Sequence, residues 1–72
     1  MTNTNRPALM TEHAIERTSA LAQISGTTRV KVVGIDDESR IILVRPILKT
    51  TLDGETLDQL GPVRAIDMSD LA

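Results

Sequence analysis

TRVKVVGIDDESRIILVRPIL, residues 28–48, decides the fold. Two runs dense in Val, Ile and Leu flank the polar tetrad Asp36-Asp37-Glu38-Ser39, the pattern of a β-hairpin. If Ile35 and Arg40 bracket a four-residue turn, Val33 faces Ile42, Val32 faces Leu43 and Val30 faces Arg45. One face then carries Val30, Val32, Ile41, Leu43 and Ile47. The other carries Val33, Ile35, Ile42, Val44 and Leu48, with Arg29 and Lys31. A hairpin wet on one side alternates apolar with polar residues, and this one does not. Both faces need cover.

Upstream, residues 1–9 are polar, carry Pro7 and read as a flexible lead. A helix is expected over residues 11–25, with Thr11 as N-cap, Glu12 in the first turn and Ser25-Gly26 as the stop. On a helical wheel Met10, Ala14, Ile15, Thr18, Leu21 and Ala22 share one face. Downstream, Pro46 has no N–H for a ladder and belongs at an edge or a bulge. Asp53-Gly54 signals a tight turn between 51–52 and 55–57, although 56–60 also suits a helical turn. Gly61-Pro62 breaks the chain again, and 63–68 reads as a short edge strand. The expected architecture is therefore α+β in one domain: an N-terminal helix packed on a three- to four-stranded antiparallel sheet spanning 28–68. Closure into a small barrel of SH3-like or Sm-like type is the alternative, a comparison of fold that conveys no function.

Composition limits how such a sheet is covered. The chain has 72 residues, no Phe, Tyr, Trp or Cys, and a single histidine, His13. Small domains seldom collect more than a few kcal/mol from their own core and add disulfides, metals or partners. Thiolate and multi-histidine metal sites are excluded by the residue inventory, which leaves self-association, with a dimer as the simplest form. Ten acidic against eight basic side chains disfavour broad nucleic-acid binding, and the lack of aromatics removes stacking platforms. No apolar run reaches the length of a membrane span and no signal-peptide order opens the chain, so a cytoplasmic location is expected.

Candidate sites are few. Asp36, Asp37 and Glu38 form the densest charge cluster, which suits a solvated turn or an acidic finger offered to a basic partner. Arg45, between Val44 and Pro46, is either an interface anchor or an edge charge that blocks aggregation. With Arg29, Lys31, Arg40 and Arg64 it would form a basic strip. His13 lacks a nucleophile motif beside it, and the isolated glycines form no phosphate-cradling loop. The expectation is no catalysis, no metal and no cofactor.

From Ile42 to Leu71 the chain resembles the opening of phage tail assembly chaperones. The pieces are Leu43-Val44-Arg45-Pro46-Ile47, Asp53-Gly54, Leu57, Leu60, Val63-Arg64 and Asp70-Leu71. It departs from that pattern in ending at Ala72, in Arg64-Ala65-Ile66 where Arg-x-Pro is usual, and in its additional N-terminal half. No functional residue transfers from the resemblance.

The function expected from these features is a small non-enzymatic protein-binding module, self-associating, of the phage or mobile-element accessory type, which inhibits another protein by occlusion. Val33, Ile35, Ile42 and Val44 would supply affinity, with Arg45, Asp36, Asp37 and Glu38 supplying specificity. On that view Val44→Asp breaks the assembly. A nucleic-acid-binding regulator and a virion or tail assembly factor are the alternatives.

Overall fold

The structure is a computed structural model and describes residues 8–72. Five strands run through the described chain: β1 (Glu12–Ala14), β2 (Arg29–Asp36), β3 (Ile41–Leu52), β4 (Glu55–Leu60) and β5 (Arg64–Asp67). One short helix, α1 (Ala20–Ser25), lies between β1 and β2, and a single 3-10 turn (Met68–Asp70) follows β5. Every strand pairing is antiparallel. β3 is the spine. Residues 41–44 lie between β2 and β5, residues 45–46 still pair with β2, and residues 47–52 pair with β4.

The last residues return to β1. Ile15 bridges Leu71, the Glu16 N–H donates to the Asp70 carbonyl at 2.8 Å, and the Ala72 N–H donates to the Ala14 carbonyl at 3.0 Å. The sequence of neighbours β1–β2–β3–β5 thereby closes into a ring. Inside it pack Ile15, Val30, Val32, Ile42, Val44 and Ile66, plugged by Leu21 and Ala22 of α1. Val30, Val32, Ile42 and Val44 are fully buried. Branched aliphatics suit so narrow an interior, because they are stiff and fit a pleated surface without the width of an aromatic ring. Each contributes about 1.5–3 kcal/mol by leaving water.

The core forms because β2 is bulged. Asp36 pairs with Ile41, Ile35 with Ile42 and Gly34 with Leu43, but Val32 pairs with Val44 and Val30 with Pro46. Val33 is thus an extra residue on β2. An extra residue reverses the facing of everything beyond it. Val30 and Val32, expected opposite to Ile35, Ile42 and Val44, turn to the same side. Gly34 permits the close approach: a Cβ there would meet Leu43 Cδ1 at 3.0 Å. The two aliphatic faces inferred from strict alternation merge largely into one, with Leu43 left 41% exposed on the outside.

The expected N-terminal helix packed on a sheet is corrected by these observations. The described chain is mostly antiparallel sheet, and the segment read as the first half of a helix is β1 with the connection after it. Glu12, His13 and Ala14 pair with Lys31, Val30 and Arg29, and Met10 and Thr11 exchange backbone hydrogen bonds with Val32. Thr11, His13, Ile15 and Thr18 are poor helix formers, so long-range pairing along the open edge of β2 prevails over weak local preference. Met10 sits at φ 65°, which breaks any helix starting there. The true N-cap is Ser19, whose Oγ accepts from the Ala22 N–H at 3.2 Å. The stop at Gly26 is where the sequence places it, with φ 76°. The flexible lead expected over 1–9 lies, for residues 1–7, outside the described residues.

Candidate functional site: a projecting β-arm

Beyond Pro46 the sheet narrows to two strands. Residues 47–52 and β4 form a hairpin arm from Ile47 paired with Leu60 to Leu52 paired with Glu55. At its tip Asp53 (φ 55°) and Gly54 (φ 82°) both adopt left-handed backbone, the two-residue turn whose twist matches a hairpin. The molecule measures 46 × 23 × 18 Å. A twelve-residue strand at roughly 3.3 Å per residue accounts for most of the long dimension.

Directly opposed residues share a face, so the register defines two surfaces on the arm. On one, Ile47 and Leu60 sit at the root, Lys49 and Asp58 form an ion pair at 2.8 Å, and Thr51 faces Thr56 near the tip. On the other, Leu48, Leu57 and Leu52 alternate between the strands, beside a Thr50 Oγ1–Gln59 Oε1 hydrogen bond of 3.1 Å. Leu52 is 59% and Leu57 46% exposed, and every residue of β4 is exposed. No other strand among the described residues pairs with the outer edge of β4. An open hollow of about 430 Å³, lined by Ser25, Gly26, Thr27, Ile47, Leu48 and Lys49, lies at the root beside β3.

Arg45 fastens this root. β4 and β5 lie along the same edge of β3, interrupted by Gly61-Pro62-Val63, and the interruption leaves carbonyls without ladder partners. The Arg45 guanidinium donates through Nε to the Gly61 carbonyl at 2.7 Å and through NH2 to the Leu60 carbonyl at 3.3 Å. The Gly61 N–H donates to the Pro46 carbonyl at 2.8 Å. A Cβ on Gly61 would come within 2.8 Å of Pro46 Cγ, so only glycine passes there. The Arg45 guanidinium thus clamps the return strand to β3 where body and arm meet.

The other sequence-derived candidates scatter. Ile42 and Val44 are in the core, where Val44→Asp acts on folding itself, and Ile35 packs against the core from its margin. Val33 is the half-buried bulge residue. Asp36, Asp37 and Glu38 are exposed at the β2–β3 tip, with Asp36 Oδ1 accepting from the Glu38 N–H at 3.2 Å. Of the basic strip, the register sets Lys31 directly opposite Arg45 on the outer face, with Arg29 beside them paired to Glu12 at 2.7 Å and Arg45 bonded to the Gly61 and Leu60 carbonyls. His13 shares a 2.9 Å hydrogen bond with Thr11 on β1. Among the described residues no three His, Cys, Asp or Glu side chains converge as a metal site requires. Asp67 caps the 3-10 turn, and its carboxylate is held below the usual range chiefly by the Ser69 N–H at 2.8 Å, with Arg40 adding a smaller attraction.

The arm is the feature sequence reasoning missed as a unit. Its turn was legible, and its leucines were visible as Leu48, Leu52 and Leu57. Nothing local says that residues 47–60 leave the body. The chain matches no protein-family model, and no curated protein or solved structure matches it. Among the described residues no helix is long and apolar enough to cross a membrane.

Proposed function

We propose that the protein is a small non-catalytic protein-binding module whose contact element is the β-arm of residues 47–60. The observation that supports this reading is the leucine row Leu48, Leu57 and Leu52 on a two-stranded hairpin whose β4 is exposed throughout and whose outer edge no other described strand pairs with. Two-stranded ribbons are marginal in water unless their apolar face is covered. A partner that lies along the arm supplies that cover and gains backbone hydrogen bonds from the open edge. Binding then acts by occluding the partner's own surface, with Asp53, Glu55 and the ion-paired Asp58 selecting against acidic targets.

A nucleic-acid regulator is disfavoured by the same geometry, because Arg29 and Arg45 are already engaged and the arm bears one lysine against three carboxylates. The test is site-specific photo-crosslinking in cells, with the probe at Glu55 on the arm or at Ser69 on the body. The reading expects discrete protein adducts from Glu55, lost in Leu52→Ser/Leu57→Ser and absent from Ser69. Equal labelling at both positions, or none at Glu55, would overturn it.

A further inference from the structure

Resting on that reading, we infer that the arm's partner is a second copy of this chain, joined edge to edge through β4 in antiparallel register with Leu57 on the two-fold axis. Two open edges compete for this role. The β3 edge is crowded at its root, where Ser25, Gly26 and Thr27 wall the hollow beside Ile47 and Leu48. Among the described residues β4 is exposed along its whole length and no strand pairs with its outer edge. An isologous contact requires each residue to meet its symmetry mate's complement, so the side chains of β4 select the register.

With Leu57 on the axis, Leu57 meets Leu57, Thr56 meets Asp58 and Glu55 meets Gln59. Every one of these pairs is complementary: apolar with apolar, hydroxyl with carboxylate, carboxylate with amide. Shifting the axis to Asp58 sets two carboxylates face to face, and like charges directly opposed are destabilising. An axis between Leu57 and Asp58 places leucine against aspartate and turns the leucine faces of the two arms to opposite sides. The chosen register instead unites Leu48, Leu52 and Leu57 of both copies on one face of a continuous four-stranded ribbon. Three or more strands with an apolar face reach the stability that an isolated pair lacks.

The chain has no cysteine, so a single introduced thiol reports the contact without background. Opposed residues in an antiparallel pair have Cα atoms roughly 4.5–5.5 Å apart, within disulfide reach. Leu57→Cys in the full chain is expected to oxidise to a disulfide dimer about tenfold or more faster than Thr51→Cys, because the paired strands hold the thiols at high effective concentration. Light scattering of the unmodified chain should give twice the 7.8 kDa of one copy. Leu57→Asp should give one copy with an unchanged far-ultraviolet spectrum.

A single-copy mass throughout the micromolar range, or equal oxidation of the two cysteine variants, overturns the inference. So does faster oxidation of Thr50→Cys, which would place the axis on β3. A one-copy mass with Glu55 adducts to a different protein ends the inference and leaves the protein-binding reading intact. Absence of both ends both.

Discussion

Arg45 shows how one side chain joins body and arm. Its two hydrogen bonds to the Gly61 and Leu60 carbonyls are made where the return strand steps out of register with β3. Loss of charge-assisted bonds of this kind costs about 1.5–3 kcal/mol each at most, and less where water replaces them. Arg45→Ala should therefore lower unfolding stability by about 1–3 kcal/mol, read by urea titration. Arg45→Lys should recover only part, since an ammonium does not present the planar fork that spans two carbonyls. Asp67 gives a separate, pH-dependent signal. Its folded-state pKa is depressed, so its contribution is present above the unfolded value near 3.8 and is lost as pH falls through the folded value. Asp67→Asn keeps a capping oxygen but takes up no proton, so the difference in Tm between parent and variant should narrow from about pH 6 to about pH 3. A constant difference would assign the cap no electrostatic role.

At the scale of elements, the bulge decides which aliphatics meet. Gly34→Ala should lower stability by about 1–3 kcal/mol, because the new methyl must displace Leu43, which lies across that position at 3.0–3.3 Å. Calorimetry would detect this, and Gly26→Ala, with open space around its Cβ but φ 76°, would separate packing from backbone strain. The hairpin of 28–48 was legible from its aliphatic runs and acidic tip, as was the Asp53-Gly54 turn, but Asp36 and Ile41 bracket its turn rather than Ile35 and Arg40, so Ile42 meets Ile35 instead of Val33. The facing of Val30 and Val32 was not, because alternation assumes an uninterrupted pleat. The clue was Gly34 inside a strand, a residue that commonly marks a bulge. The helix was over-read for a related reason. Ile15, Leu21 and Ala22 are all buried, but Ile15 gets there from an extended segment and the other two from a six-residue helix. A wheel drawn through all three merges two elements that share only a destination. Arg45 stands out in the sequence between Val44 and Pro46, yet its partners at 60 and 61 depend on a register no local pattern encodes.

At the scale of the molecule, stability and binding are divided between two parts of one strand. Residues 41–46 of β3 supply Ile42 and Val44 to the ring's core, whereas residues 48–52 contribute nothing to that buried cluster. The ring closes without the arm, through β2, the first half of β3, β5 and the Ile15–Leu71 bridge. The arm is therefore expected to be dispensable for folding. A variant in which Asn-Gly replaces residues 49–58, joining Leu48 to Gln59 by a tight turn, should keep a single cooperative transition and the far-ultraviolet signature of the sheet. Its loss in stability should stay within about 1–2 kcal/mol, the scale set by shortening the ladder. The same variant should lose the concentration dependence of Tm that a self-associating chain displays, since association stabilises only the folded state and does so by mass action. If the shortened chain unfolds, the arm is part of the core rather than an appendage to it. If it folds but keeps its concentration-dependent Tm, self-association runs through another surface, and the exposed Leu43 on the outer face of the ring becomes the residue to mutate next.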